Sequence, residues 1–168
     1  NNAHISVETY YRFLIQKLLP FYDKVLYLDS DIIINGDIAK LYNIDLQGKL
    51  LGAVRDIDFL GNLNVKHGKR MNYAKTVLKM QNPYDYFQAG VLVLNTKAMR
   101  EHYTIEQWLA YASNDEFIYN DQDVLNAHCE GNVLYLPWEW NVLHDCGGRV
   151  GNLFTQSPND IYDAYMKS

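Results

Sequence analysis

The sequence of 168 residues predicts an α/β fold in a single domain. Four short apolar runs, rich in β-branched residues, have the length of buried strands. Segments with helical spacing or helix-capping residues separate these runs, and strands that alternate with helices are typical of parallel βαβ units. Hydrophobic residues make up 48% of the chain and charged residues 21%, which is ordinary for a folded domain and argues against disorder.

The first predicted element is a helix that Ser6 caps and Pro20 ends. Its apolar positions recur at helical spacing: Val7, Tyr10, Tyr11, Leu14 and Leu18. Arg12 falls off this apolar stripe. It is either a solvated charge or a contact for an anion such as phosphate, whose oxygens a guanidinium binds through two hydrogen bonds.

The first predicted strand, 25–28, leads directly into Asp29, Ser30 and Asp31. Ionised carboxylates are rarely buried without a partner, because removing them from water costs several kcal/mol. Asp29 and Asp31 are therefore expected to meet a cation or to stand at the exposed end of the strand, where ligands collect in open α/β sheets. Oxygen ligands alone suit a hard ion such as Mg²⁺ or Mn²⁺. The alternative is a turn with two solvated acids.

The second predicted strand, 50–54, follows a turn at Asn35-Gly36-Asp37 and ends at Arg55 and Asp56. Residues 58–70 are polar, contain glycine and carry several basic side chains, which predicts a long loop of the kind that often binds ligands. A short helix is predicted over 73–80.

The third predicted strand, 87–95, is the densest apolar run of the chain. Gln88, Ala89 and Gly90 stand at its start, where small residues allow a ligand or another backbone to approach closely. An alternative is that Gly90 marks a bulge and Gln88 is a polar group at the strand edge.

The last third of the chain predicts three more helices and a strand. A capping box at Thr104 opens a helix through about 113, and residues 120–123 open another that ends before Gly131. Asp121 and Asp123 complement the dipole of that helix, yet with Gln122 they also form a dense polar cluster. A strand at 133–136 is followed by two tryptophans that form either a stacking platform or a packed corner. A final helix, opened by Ser157 and Pro158, runs to about Met166.

The overall composition narrows the class of function. A net charge of -5 argues against a general nucleic-acid binder, which needs a basic face. No apolar run reaches the roughly 18 residues of a membrane span. Cys129 and Cys146 form no metal-binding spacing and indicate reduced thiols, with one disulfide left open. The 14 tyrosines and 3 tryptophans offer flat faces to which sugars bind, although most are expected to pack in the core.

Five sequence blocks occur in an order and at a spacing that carry a family resemblance. They are Tyr10-Tyr11-Arg12, Leu19-Pro20, residues 24–31 with the Asp-x-Asp motif, residues 87–95, and residues 121–126. Together they resemble the retaining glycosyltransferases of family 8, which include bacterial lipopolysaccharide galactosyl- and glucosyltransferases and glycogenin. The resemblance covers about 4–141. It implies a GT-A fold, a Rossmann-like α/β sandwich, of which residues 1–168 form a central fragment without the family's N- and C-terminal parts.

The resemblance also implies a reaction and a cofactor. A hexose, glucose or galactose, would pass from UDP to a saccharide or glycolipid acceptor such as lipopolysaccharide core. Asp29 and Asp31 would hold Mn²⁺, or Mg²⁺, which would neutralise the diphosphate. The implied location is cytoplasmic, or peripheral at the inner face of the membrane. A fragment alone is expected to bind the UDP-sugar weakly.

Individual residues take roles from the same resemblance. Arg12 would contact the nucleotide, and Asp121 would bind sugar hydroxyls. Gln88 stands where the family has an asparagine that contacts the donor sugar, next to Ala89 and Gly90. Gln122 would lie beside the anomeric carbon as the catalytic residue.

Two parts of the family pattern are not matched: the opening strand with the nucleotide-base loop, which is expected before Asn1, and a late segment that is expected beyond Asn141. The family's third metal ligand is a histidine in a His-x-x-Gly-x-x-Lys-Pro-Trp segment. His144 partly mimics it but comes too soon after 121–123 and lacks the following Lys-Pro-Trp, so we expect a substituted or acceptor-side residue there.

Two other functions remain open at this stage. Asp29 also fits the nucleophile of a haloacid-dehalogenase-type phosphohydrolase, with Asp31 as its acid/base. The third possibility is a sugar-nucleotide-binding remnant without catalysis.

Overall fold

The computed structural model describes residues 7–144, 149–154 and 159–168. In this part of the chain all four predicted strands are present, and they form one mixed sheet of order β1-β3-β2-β4. The strands are β1 (Val25–Leu28), β2 (Leu51–Arg55), β3 (Phe87–Leu94) and β4 (Val133–Tyr135).

The directions of the strands differ from the prediction. β2 and β4 are parallel, but β3 runs antiparallel to both β1 and β2. The expectation of parallel strands is therefore met by β2 and β4 and wrong for β3, because an apolar run indicates burial and not the direction of a strand. The antiparallel arrangement brings the start of β3 to the carboxyl ends of β1 and β2.

The pairing of β2 with β3 is interrupted by a large β-bulge. Ala53 pairs with Leu92 and Arg55 pairs with Phe87, so the single residue Val54 lies opposite four residues of β3, 88–91. Such bulges redirect backbone and side-chain groups and often lie next to functional sites. Here the bulge frees backbone groups at the start of β3 from the strand ladder.

Helices cover the sheet. They are α1 (Val7–Leu18), α2 (Ile38–Tyr42), α3 (Ile57–Asn62), α4 (Arg70–Thr76), α5 (Thr96–His102), α6 (Ile105–Ala112), α7 (Asn120–Cys129), α8 (Arg149–Leu153) and α9 (Asn159–Met166). The described ranges also contain two 3₁₀ turns, Pro83–Asp85 and Trp138–Trp140.

Most predicted helices are confirmed, with two corrections. The Thr104 hydroxyl accepts from the N–H of Gln107 and the capping box opens α6 as predicted. The loop prediction over 58–70 is wrong for its first part, because the Asp56 carboxylate accepts a hydrogen bond from the N–H of Phe59 and starts α3. The helix predicted over 73–80 lies earlier, at α4. Ser6, Ser157 and Pro158 lie outside the described residues.

The described residues form three apolar core clusters. The first packs α1, α6 and α7 on one face of the sheet, where the rings of Phe13 and Trp108 stack at 5.3 Å. The second gathers α3, α4 and α9 around Tyr86, whose ring stacks on Phe59 at 3.5 Å. The third covers the opposite face, and Trp138 and Trp140 pack against it, which favours the packed corner over a stacking platform.

The composition predicts no membrane span and reduced cysteines. No helix in the described ranges is long and apolar enough to cross a membrane. Cys129 is a buried free thiol whose pKa burial raises to about 12, which makes it unreactive. Cys146 lies outside the described residues.

Candidate functional site

An open cleft of about 310 Å³ lies where the carboxyl end of β1 meets the start of β3. The first residues of helix α7 close the cleft on one side. The cleft is lined by Arg12, Asp29, Gln88, Ala89, Gly90, Ile118, Tyr119, Asn120, Asp121 and Gln122. All seven residues that the sequence predicts to contact substrate are therefore brought together.

Arg12 is a cation that lies next to two acids of the cleft, Asp29 and Asp121. One Nη donates to the carbonyl of Ala89 at 3.0 Å and lies 2.5 Å from the Asp121 carboxylate. The other donates to the Tyr27 hydroxyl at 2.8 Å and lies 3.5 Å from the Asp29 carboxylate. The guanidinium also lies 4.5 Å from the centre of the Tyr27 ring. Arg12 thus ties α1 to β1, β3 and α7, and the interpretation as a solvated charge is wrong.

Asp121 is largely buried, with 15% of its side chain exposed. Burial raises the pKa of this carboxyl above its ordinary value, and the charge of Arg12 opposes that rise. Arg12 is therefore the cationic partner that Asp121 requires in the wall of the cleft.

Asp29 and Gln88 lie over Gly90. The N–H of Asp29 donates to the carbonyl of Gly90 at 2.8 Å, and one carboxylate oxygen of Asp29 accepts from Tyr27 at 2.9 Å. The other oxygen lies only 2.7 Å from the point that a Cβ on Gly90 would occupy, and Gln88 Oε1 lies 2.9 Å from that point. Both alternatives for Gly90 are met, since it stands in the bulge and also allows the close approach of two side chains.

The Gln88 amide is fixed by two hydrogen bonds. Its Oε1 accepts from the N–H of Gly90 and from Asn141 Nδ2, each at 2.6 Å. It is therefore a member of the cleft wall and not a polar group at a strand edge.

The Gln122 amide is held at both ends. Its Oε1 accepts from the N–H of Ala89 at 3.0 Å, and its Nε2 donates to Asp56 at 2.8 Å and to the Tyr86 hydroxyl at 3.2 Å. The bulge leaves the N–H and the carbonyl of Ala89 unpaired in the sheet, and they bind the side chains of Gln122 and Arg12 instead. Burial raises the pKa of Asp56, while the hydrogen bonds from Phe59 and Gln122 lower it.

Asp123, in the first turn of α7, is the acceptor of a buried hydrogen-bond network. It is fully buried and accepts from Tyr73 at 2.5 Å, from Tyr86 at 2.7 Å and from the N–H of Tyr119 at 2.7 Å. The Tyr73 oxygen also accepts from the N–H of Ile118 at 2.8 Å. This network fixes the backbone of residues 118–119, which line the cleft.

Asp31 and His144 do not line the cleft. Asp31 is exposed in the turn after β1, and His144 is exposed at the end of the first described range. No group of three or more His, Cys, Asp or Glu side chains suited to a metal occurs among the described residues. Asp29, with 32% of its side chain exposed, and Asp31 are the acids available to a cation beside the cleft.

Sequence reasoning missed the residues that support the site. Tyr27 could have been found, because residues two apart on a strand share a face and Asp29 follows it at that spacing. Asp56 ends a strand, the usual location of ligand contacts in such sheets. Tyr73 and Tyr86 carry no such signal, since only the tertiary fold brings them to Asp123.

Comparison with known proteins identifies the group to which this arrangement belongs. The chain matches glycosyl transferase family 8 over residues 1–164. It is 29% identical over 141 residues to a lipopolysaccharide 1,2-glucosyltransferase from Escherichia coli (strain K12), covering 80% of this chain and 38% of that protein.

Two solved structures extend the likeness to the fold. The apo structure of the bifunctional glycosyltransferase WbbM is 32% identical with a TM-score of 0.87, covering 99% of this chain and 30% of that chain. The galactosyltransferase LgtC, solved with donor and acceptor sugar analogues, is 33% identical with a TM-score of 0.63, covering 80% of this chain and 46% of that chain. These likenesses confirm the expected α/β GT-A fold.

The chain spans less than half the length of these relatives. The match nevertheless extends over nearly all of its own residues and favours sugar transfer over the phosphohydrolase alternative. The chain belongs to glycosyl transferase family 8.

Proposed function

We propose that the protein is a metal-dependent retaining glycosyltransferase that moves glucose or galactose from a UDP-hexose to a saccharide acceptor. The observation that carries the proposal is the convergence of Arg12, Asp29, Gln88, Asp121 and Gln122 on one cleft. The E. coli lipopolysaccharide 1,2-glucosyltransferase, and the galactosyltransferase LgtC with its donor and acceptor sugar analogues, support a hexose donor and a sugar acceptor.

A hard divalent ion, Mn²⁺ or Mg²⁺, fits the acids at the end of β1. Asp29 and Asp31 offer only oxygen ligands, and such ions are usually bound by one or two carboxylates together with phosphate oxygens of the substrate. Asp29 is partly exposed and already held by Tyr27, so that its carboxylate is presented to the cleft in one orientation. When bound, the ion neutralises the charge that develops on the UDP leaving group.

The chain's own residues bind and orient the donor. Arg12 brings positive charge to the nucleotide while it holds Asp29 and Asp121 in place. Asp121 accepts hydrogen bonds from hydroxyl groups of the donor sugar. Gln88 has one more methylene than the asparagine of the family, and the bond from Gly90 draws its amide back towards the strand, so that the longer side chain still faces the sugar.

Gln122 supports the retaining step in this proposal. Its amide cannot turn over without breaking the bonds from Ala89 and to Asp56, so the carbonyl end keeps one direction. The carbonyl oxygen has a second lone pair, which is available beside the anomeric carbon. Preorganised dipoles of this kind stabilise charge that develops in the transition state without further reorganisation.

The test is UDP release with Mn²⁺ from UDP-glucose and UDP-galactose, with the anomeric configuration of the product read by NMR. Removing the metal with EDTA should abolish UDP release. Asp29→Asn should lower it by at least about 100-fold, because a positioned charge at the reacting diphosphate is lost. Asp163→Asn is the matched control, since Asp163 is exposed and does not line the cleft.

Two results would contradict the proposal. UDP release that is equal in Asp29→Asn and in the original protein removes Asp29 from the mechanism. UDP-sugar binding by calorimetry without any release or transfer supports the remaining alternative, a sugar-nucleotide-binding protein without catalysis.

A further inference from the structure

A second cavity, of about 200 Å³, adjoins the cleft. Ile118 lines both spaces. The cavity is lined by Asn62, Val65, Gly68, Lys69, Arg70, Tyr73 and Ile118. None of these residues except Ile118 belongs to the cleft, so the proposed reaction leaves the cavity without a role.

The cavity lies in a basic part of an acidic chain. Residues 59–84 contain no Asp or Glu, whereas the chain as a whole has a net charge of -5. The same segment contributes five cationic side chains: Lys66, Lys69, Arg70, Lys75 and Lys79. Two of the five, Lys69 and Arg70, line the cavity.

Arg70 is held in place by aromatic rings. Its guanidinium carbon lies 4.9 Å from the centre of the Phe59 ring and 4.7 Å from that of Tyr119. No carboxylate of the described ranges forms an ion pair with Arg70 or Lys69. An arginine that is fixed by stacking keeps its N–H groups for a ligand, and the paired oxygens of a phosphate or a carboxylate match the fork of its guanidinium.

The wall between the cavity and the cleft is held by stacking and by hydrogen bonds. Tyr119, against which Arg70 stacks, lines the cleft, and the N–H of Ile118 donates to Tyr73. Tyr73 in turn donates to the buried Asp123. A ligand that fills both spaces would therefore be held in one register.

We propose that this cavity binds an anionic group, a phosphate or a carboxylate, carried by the acceptor saccharide. The inference rests on the proposed function, because it assumes that the acceptor sugar lies in the adjoining cleft. The diphosphate of the donor is assigned to Asp29 and Arg12, which leaves the basic cavity to the acceptor. A concave space lined by two cations suits a small anionic group better than it suits a flat membrane surface.

The first test measures binding without turnover. Backbone amides of Gly68 and Arg70 are followed by NMR during titration with glucose 6-phosphate, glucose, galacturonate and galactose. We expect at least about tenfold tighter binding of an anionic sugar than of its neutral counterpart. The phosphate and carboxylate pairs show which of the two anions the cavity prefers. Raising the salt concentration should weaken the binding, because ions screen it.

Variants locate the binding. Lys69→Gln should weaken binding of the anionic sugar about threefold to fivefold, as expected for one exposed ion pair. Arg70→Gln should weaken it by about tenfold or more, because this cation is held between two rings. Lys75→Gln is the matched control: it removes the same charge from the same segment but lies outside the cavity, and we expect no change.

The second test measures transfer from UDP-hexose to a disaccharide and to its 6-phosphate. The phosphorylated acceptor should have the lower KM, and Lys69→Gln should raise that KM about threefold to fivefold. UDP release without an acceptor tests the donor reaction separately. If UDP is released but neutral and anionic acceptors are used equally, the subsite proposal is wrong and the proposed function stands.

Three other outcomes also decide the matter. Absence of UDP release with either donor contradicts the proposed function, whereas the NMR titration still tests the cavity. Equal binding of charged and neutral sugars, or an equal effect of Lys75→Gln, overturns the subsite. The protein could also co-sediment with phosphatidylglycerol vesicles, lose this binding in Lys69→Gln and show no preference for anionic sugars. That result would assign the basic residues of the cavity to a membrane surface and would overturn the proposed subsite.

Discussion

Gly90→Ala adds a single methyl group at the point where the Asp29 and Gln88 side chains lie over β3. The new Cβ would lie 2.7 Å from Asp29 Oδ2, 2.9 Å from Gln88 Oε1 and 3.0 Å from Gln88 Nε2. Gly90 does not have a left-handed φ, so alanine imposes no backbone strain there. The substitution therefore tests the position of these two side chains and not the conformation of the strand.

The size of the effect follows from the distances. Ordinary Cβ contacts begin at 3.4 Å, so the Asp29 oxygen must move by about 0.7 Å, and the Gln88 amide by a little less. A misplacement of about 1 Å at a reacting centre costs on the order of 100-fold in rate. Both groups are ends of flexible side chains, so the free energy of unfolding should change by less than about 3 kcal/mol.

The assay combines UDP release with thermal unfolding. Gly36→Ala is the matched control, because a Cβ on Gly36 meets nothing within 4 Å and its φ is not left-handed. We expect unchanged activity for this control and a gain of up to about 1 kcal/mol in stability, since alanine restricts the unfolded chain. Wild-type activity in folded Gly90→Ala would refute the assignment of Asp29 and Gln88 to the site.

Three further predictions concern stability. Asp123→Ala removes the acceptor of hydrogen bonds from Tyr73, Tyr86 and the N–H of Tyr119, and urea unfolding should show a loss of about 3–5 kcal/mol; a loss below about 1 kcal/mol would contradict the network. Burial, followed by the charge of Asp123, raises the pKa of Tyr86 above its ordinary value of 10.0. The folded protein then keeps a proton that the unfolded chain releases, so stability should fall as the pH rises above 10, and in Tyr86→Phe it should fall less steeply by about 1.4 kcal/mol per pH unit. Equal slopes in urea titrations of the two proteins would show that Tyr86 does not contribute. Thr104→Ala should cost about 1 kcal/mol at the start of α6, measured by circular dichroism during heating, and no loss would mean that the capping box is replaced by water.

Much of the fold could be predicted because local signals agree with the tertiary structure. The strands are recognisable in the sequence as apolar runs. The helix at Thr104 is recognisable as a capping box, whose hydrogen bonds form within four residues of each other. Strand direction could not be predicted, since the chain between β2 and β3 decides it. Helix α3 was missed because its start depends on Asp56, which looks like the end of a strand and serves as an N-cap.

The same limit explains what was missed in the site. Arg12, Asp29 and Gln122 stand in sequence blocks that can each be recognised without the others. The side chains that orient them come from distant parts of the chain and could not be recognised in this way. Asp56 shows why this matters, since it caps α3 and also accepts from the Gln122 amide. One carboxylate thus links the start of a helix to the orientation of the proposed catalytic amide. A change that loosens α3 should therefore alter the site even though none of its residues lines the cleft.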